Sequence, residues 1–259
     1  MDKVPTERAF LDLSDYARPL ARWLVQLLLP TPITPIHITL VFTGVGLGAA
    51  MLFAVNRALP LAGILLLLKS MLDAADGALA RARGRPSRVG RFLDSVCDFV
   101  VMGAVFIGIA IGRGSGIEEL GLALAAVLCA TCQGSVFSYY YVRYRAESGG
   151  DTTSRIDESE SSGYAWDNAF ALRVLHALYT LIYAWQDALM NWIDQRLAPT
   201  PRPLRPEFLT ATTVLGLGTQ LLVIAVCAFV NQPGWALWLF VTVFNGYGLA
   251  LLLARRQLG

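Results

Sequence analysis

The chain reads as an all-α integral membrane protein: a bundle of six transmembrane helices, preceded by an N-terminal amphipathic interfacial helix and interrupted before its fifth span by an extra cytoplasmic or interfacial helix. Three observations predict this. Of 259 residues, 55% are hydrophobic and only 15% charged, against roughly 25% charged in ordinary soluble domains. Six stretches approach the about 20 mostly apolar residues that a spanning helix needs. The basic residues fall almost wholly on one side of those stretches. The same composition excludes a disordered chain, a fibrous repeat and a disulfide-stapled secreted module. A formal net charge of +2 leaves no broad basic face for nucleic acid. Cys97, Cys129, Cys132 and Cys227 all lie within apolar stretches, so they read as packing residues rather than a disulfide framework.

Taken in order, residues 5–29 begin charged and end apolar before Pro30-Thr31-Pro32, the pattern of an amphipathic helix lying in the interface. The first 22 residues are polar and charged, and no cleavable signal peptide is visible there. Spans follow at 36–56, 60–80, 91–112 and 118–142. Residues 146–165 are Ser-rich and acidic, which predicts a flexible loop. Residues 166–197 carry Arg173, His176, Gln186, Asp187, Asn191 and Asp194 among Leu, Tyr and Trp, and read as an interfacial or membrane-dipping helix. The last spans are 208–231 and 234–254. The chain thus divides into an N-terminal segment (1–35), four spans carrying the candidate site (36–145), a loop with its interfacial helix (146–207) and two final spans (208–259). With six spans both termini share a side, and that side holds every one of the 21 basic residues except Arg57, Arg113 and Lys69. Both termini and the candidate site are therefore expected to face the cytoplasm, in a cytoplasmic membrane.

The acidic residues are more informative still, because an ionisable group inside a span costs about 2.5–3.5 kcal/mol on insertion scales. Asp73 and Asp76 are three apart, and Asp94 and Asp98 four apart, so each pair shares a helix face. An antiparallel helix pair joined near Gly84-Arg85-Pro86 brings the two faces together. Four like charges in one pocket repel unless a cation binds between them. With no His or Cys in the group, the ligand set suits Mg²⁺ or Mn²⁺ rather than zinc. Four carboxylates could hold two such ions, an arrangement suited to phosphoryl chemistry. Gly77, Ala80 and Gly90 leave one wall of the pocket without bulk, so that a nucleotide can approach backbone, and Arg81 can pair with phosphate. The plainer reading makes the aspartates an interfacial rim, ion-paired to the basic turn between Arg81 and Arg91.

At these residues the chain resembles a known family. The run Asp73-x2-Asp76-Gly77-x2-Ala80-Arg81-x8-Gly90-x3-Asp94-x3-Asp98 is similar at every fixed position to the signature of the CDP-alcohol phosphotransferases (phosphatidyltransferases). That resemblance implies transfer of a phospho-alcohol from a CDP-alcohol, usually CDP-diacylglycerol, to the hydroxyl of a second alcohol, with release of CMP. It implies two divalent cations, Asp73 and Asp94 bridging both, Asp76 completing one and Asp98 the other. It implies Asp98 as general base, and Gly77, Arg81 and Ser87 as contacts of the CDP moiety, with Ala80 and Gly90 at close-packing positions. It also implies a homodimer. In the first span Pro35 and Thr39 match family positions near the nucleotide, while Ile36 stands where family members often carry asparagine. Arg143 and Arg145, ending the fourth span, match a stretch that can receive an anionic acceptor, or they are basic anchors.

Weaker signals remain open at this level. Lys69, one turn before Asp73, either lines the pocket or pairs with a carboxylate. His37 either contacts a ligand or is an interfacial histidine. Gly44, Gly46 and Gly48 permit close helix approach. Two other functions compete: a Mg-dependent intramembrane prenyltransferase, and a cation transporter. The former usually separates its acidic motifs widely, and the latter favours mid-span acids with internal pseudo-symmetry, neither of which this chain has.

Overall fold

A computed structural model describes residues 8–149, 163–198 and 203–258. Lys3, Arg155, Arg202 and most of the predicted loop 146–165 lie outside these. Among the described residues every regular element is helical: α1 (Arg18–Leu28), α2 (Pro35–Ala54), α3 (Leu59–Ala82), α4 (Arg88–Gly112), α5 (Ile117–Glu147), α6 (Ala169–Tyr179), α7 (Trp185–Leu197), α8 (Pro206–Thr212), α9 (Leu217–Phe229), α10 (Gly234–Val241) and α11 (Val243–Leu258). Helices α2, α4, α5 and the α10–α11 run are long and apolar enough to cross a membrane, and α8 with α9, bent by 44°, makes a fifth such unit. Their outward faces are apolar too, with Leu40, Met51, Ile107, Leu124, Leu128 and Trp238 all exposed. That is the composition of an integral membrane protein. Helix α3 is 24 residues long but carries Lys69, Asp73 and Asp76 along its course.

Helix α2 starts where the sequence supplies a cap. Thr34 accepts from the His37 backbone N–H while the His37 ring accepts from the Thr34 N–H, and Pro35 opens the first turn. This accounts for His37 locally. Helices α2, α3 and α4 pack side by side. Two glycines one turn apart set the closest contact. A Cβ on Gly108 would lie 2.5 Å from the Ala50 carbonyl, and one on Gly112 would overlap the Phe53 carbonyl. Of the glycines singled out above, Gly46 is buried against Val101, whereas Gly44 has open space beside it.

The N-terminal segment differs from the predicted helix over 5–29. Among the described residues α-helix begins only at Arg18, after a short 3₁₀ turn at Leu13–Asp15, because the chain before it spends backbone donors elsewhere. Leu11 N–H donates to Thr210 Oγ1 (3.2 Å) and Leu13 N–H to Thr213 Oγ1 (3.1 Å). Phe10 sits edge-on against Tyr141 and Tyr144. The carbonyl of Ser14 lies so close to Gly218 that any side chain there would overlap it. Gly216, extended at the bend between α8 and α9, is likewise pressed by Ser14. Residues 10–14 are thus pinned to later helices.

Helix α6, a π-helical turn (Thr180–Ala184) and α7 form one run from Ala169 to Leu197. Its partners trace a descent and a return. Asp167, just before it, bonds at the start of α4; Tyr179 meets Phe92; the Tyr183 hydroxyl donates to the Ser95 carbonyl (3.0 Å). Then Gln186 accepts from Ser135 (2.6 Å), Asn191 from Tyr139 (3.3 Å) and Asp194 from Tyr140 (3.0 Å), approaching the end of α5. The run therefore moves inward along α4 and outward along α5, with the π turn near its deepest point. Such turns are local distortions of the hydrogen-bond ladder that re-aim a helix.

Gly108→Ala is expected to destabilise the protein by about 1–3 kcal/mol through overpacking against α2. Gly44→Ala, facing open space, should be neutral or stabilising by up to about 1 kcal/mol. Thermal unfolding in detergent distinguishes the two, and equal effects would refute the close α2–α4 contact.

Candidate active site

The C-terminal half of α3 and the N-terminal half of α4 are joined by a short turn held from two directions. On one side the Arg83 guanidinium donates to the carbonyls of Leu28 (2.9 Å), Thr31 (2.7 Å) and Ile33 (2.6 Å), at and just beyond the end of α1. On the other, Ser87 caps α4, its Oγ accepting from Gly90 N–H (2.9 Å). That hydroxyl donates to Asp167 (2.6 Å), whose other oxygen accepts from the backbone N–H groups of Arg88 (3.0 Å) and Tyr164 (3.0 Å). Trp166 stacks on Tyr164 and donates its indole N–H to the Pro86 carbonyl (2.9 Å).

Between these clamps the four aspartates face one cavity of about 750 Å³. One carboxylate oxygen from each of Asp73, Asp76 and Asp94 lies within 4.8 Å of the others. Asp76 is buried and accepts from Thr39 Oγ1 (2.7 Å). Asp94 Oδ1 is buried with no hydrogen-bond partner. An unsatisfied buried carboxylate oxygen is costly, and three converging oxygens with no nitrogen or sulfur ligand suit a hard divalent cation. The donor set therefore fits Mg²⁺ or Mn²⁺.

Asp98 stands apart from that trio. Lys69, only 1% exposed, donates to Asp73 Oδ2 (2.8 Å) and makes a short contact with Asp98 Oδ1, while its ammonium lies over the Phe42 ring at 4.4 Å from the centroid. Of the two readings open for Lys69, pairing is the one observed.

The remaining residues of interest divide. Thr39, Gly77, Ala80, Arg81, Ser87 and Gly90 all line the cavity. The Arg81 guanidinium occupies the space beside Gly77, where a Cβ would lie 3.2 Å from it. Arg145 also lines the cavity, buried at 4% exposure with its guanidinium over the Tyr141 ring. Arg143 does not: its guanidinium is ion-paired to Asp194 and to Glu147 (2.9 Å). Residues that the motif did not mark complete the rim, namely Asp12, Ser14, Asp15 and Arg18 from the N-terminal segment and Trp166 to Asn168. The i, i+4 spacing of Lys69 and Asp73 signals their pairing, but nothing local signals Asp167, which is 80 residues from Ser87.

A family model for CDP-alcohol phosphatidyltransferase matches residues 27–194. The phosphatidylinositol phosphate synthase of Mycobacteroides abscessus is 36% identical over 127 residues, covering 49% of this chain and 56% of that protein. That of Mycobacterium marinum is 34% identical over 154 residues, covering 58% and 61%. This chain therefore aligns with less than two thirds of the length of either. The archaetidylinositol phosphate synthase of Pyrococcus horikoshii is 37% identical over 161 residues, covering 62% of this chain and 79% of that protein. A crystal structure of the Mycobacterium tuberculosis phosphatidylinositol phosphate synthase with CDP-DAG bound superposes with a TM-score of 0.36 at 22% identity, covering 86% of this chain and 94% of that one.

Asp167→Ala removes the acceptor for three hydrogen bonds, and an unfolding midpoint lowered by the equivalent of about 1–3 kcal/mol is expected. Thermal unfolding followed by tryptophan fluorescence measures this, and an unchanged midpoint would refute the Ser87–Asp167 clamp.

Proposed function

Because the chain belongs to the CDP-alcohol phosphatidyltransferase family, we propose that it transfers a phosphatidyl group from a CDP-alcohol, CDP-diacylglycerol in the first instance, to the hydroxyl of an acceptor alcohol, releasing CMP in phospholipid biosynthesis. The observation that carries this reading is the convergence of Asp73, Asp76 and Asp94 on one face of a cavity that also presents Asp98, Gly77 and Arg81. A cavity of this size holds a nucleotide diphosphate and the head of an acceptor together.

The roles follow from the chemistry. Asp73, Asp76, Asp94 and Asp98 hold two divalent cations, Mg²⁺ or Mn²⁺. When bound, such ions supply charge neutralisation for the diphosphate and for the departing CMP. Gly77, Ala80 and Gly90 let the nucleotide approach the helix backbone, and Arg81 pairs with its phosphate. Asp98 accepts the proton of the acceptor hydroxyl as its oxygen attacks the phosphorus that carries the lipid alcohol. The bond from that phosphorus to CMP breaks, and its electron pair leaves with CMP. Thr39 keeps the Asp76 carboxylate turned to the cavity, and Ser87 holds the first turn of α4 so that Asp94 and Asp98 keep their register. Arg145, at the cavity wall, is the better placed of the two arginines to meet an anionic acceptor. The names of the relatives make a phosphorylated inositol the first acceptor to test.

The same reading places the site in the membrane. Helix α3 is the sixth span, tolerated because its charged residues face the cavity rather than lipid. The distribution of basic residues puts the termini and the cavity mouth on the cytoplasmic side of the cytoplasmic membrane. Helix α1 lies in the interface beside that mouth. The α6–α7 run, which starts and ends level with the mouth, dips into the bilayer and returns.

Two outcomes test this function. Asp98→Asn should lower CMP release from CDP-diacylglycerol by about 10²–10⁴-fold, the usual contribution of a general base, while retaining CDP-alcohol binding. Near-normal turnover would reject the base assignment. Chelation with EDTA should abolish release, and Mg²⁺ or Mn²⁺ should restore it. CMP release that is independent of metal would exclude the aspartate site, and no release with any acceptor would favour the prenyltransferase or transporter readings.

A further inference from the structure

The chain contains only two lysines, Lys3 and Lys69, against nineteen arginines. Lys69 stands where a small cation has to fit. Its ammonium is buried beneath the cavity between Asp73 on its own helix and Asp98 on α4, with the Phe42 ring on another side. A planar, forked guanidinium would not occupy that position without moving one of the carboxylates. Asp73, Asp76 and Asp94 meanwhile keep oxygens close enough to share one ion, and Asp94 Oδ1 has no hydrogen-bond partner.

Formal charges turn this placement into an order of binding. Four carboxylates contribute four negative charges, and Lys69 cancels one. A first divalent ion leaves one negative charge, and a second brings the cluster to one positive charge, with Arg81 adding another beside Gly77. Excess positive charge in a site largely removed from water is as unfavourable as excess negative charge. A nucleotide diphosphate brings the negative charge that removes the excess. Building on the metal-dependent reading above, we infer that Lys69 is a resident cation of the site. It lets the free protein hold one divalent ion at Asp73, Asp76 and Asp94, and makes the second, which needs Asp98, depend on the diphosphate substrate. Lys69 acts through the two carboxylates and is a positioning residue.

Mn²⁺ titration of the full chain in detergent, with free ion read by electron paramagnetic resonance, tests this without turnover, since no acceptor alcohol is added. The wild type should bind one Mn²⁺ alone and two in the presence of CDP-diacylglycerol. Lys69→Met should tighten the second step in the absence of nucleotide by about tenfold or more, as expected on removing a unit charge from a partly desolvated site. Two equally tight Mn²⁺ sites in the nucleotide-free wild type would overturn the role of Lys69 and leave the aspartate site intact. An unchanged second step in Lys69→Met would do the same. Failure to bind Mn²⁺ under any condition would instead overturn the metal-dependent reading and this inference with it. Where Lys69→Met fails to fold, the wild-type comparison with and without CDP-diacylglycerol still overturns the inference if both ions bind equally tightly without nucleotide.

Discussion

The structure is organised around the cost of gathering four carboxylates at the meeting of two helices in an apolar bundle. A carboxylate withdrawn from water without compensation costs several kcal/mol, and neighbours of like charge raise that cost. The aspartates meet it in three ways. Asp76 is bonded by the Thr39 hydroxyl, while Asp73 and Asp98 share the Lys69 ammonium. Asp94 keeps one buried oxygen without a hydrogen-bond partner. The compensating groups come from α2 and α3, so the charge cluster links α2, α3 and α4 to one another.

Holding those helices in register is the work of features outside the motif. Gly108 and Gly112 let α4 approach the α2 backbone at Ala50 and Phe53, while at the other end of α2 Thr39 reaches Asp76 on α3. Arg83 binds the turn between α3 and α4 to the end of α1, and Asp167 binds the first residues of α4 to the segment before α6. Asp194 gathers Tyr140, Arg143 and Arg255 from α5 and α11, which fixes the return of the α6–α7 run and turns Arg143 away from the cavity.

Much of this was legible in the sequence, and the part that was not has a common cause. Spacings of three and four residues place Asp73 with Asp76 and Asp94 with Asp98 because helical periodicity is local. For the same reason the apolar runs locate α2, α4 and α5 to within a few residues. The i, i+4 relation of Lys69 to Asp73 is also local, but its second partner, Asp98, lies on another helix. Partners remote in sequence left no trace: Asp194 for Arg143, Asp167 for Ser87, and Thr210 and Thr213 for the backbone of Leu11 and Leu13. That last pair explains why helix predicted from residue 5 begins at Arg18, since an amphipathic pattern does not reveal that tertiary acceptors will claim the backbone donors first.

The cavity draws its lining from parts of the chain remote in sequence: Asp12, Ser14, Asp15 and Arg18 line it together with Leu217 and Gly218, with Ser14 seated on the glycines at the bend between α8 and α9. The four aspartates have all been joined to the chain by residue 98, yet the cavity lining also draws on Leu217 and Gly218 at the start of α9, which are made much later. A nascent chain therefore carries its acidic cluster through much of synthesis with that part of the lining missing, and the seating of Ser14 on Gly216 and Gly218 is the contact that adds it.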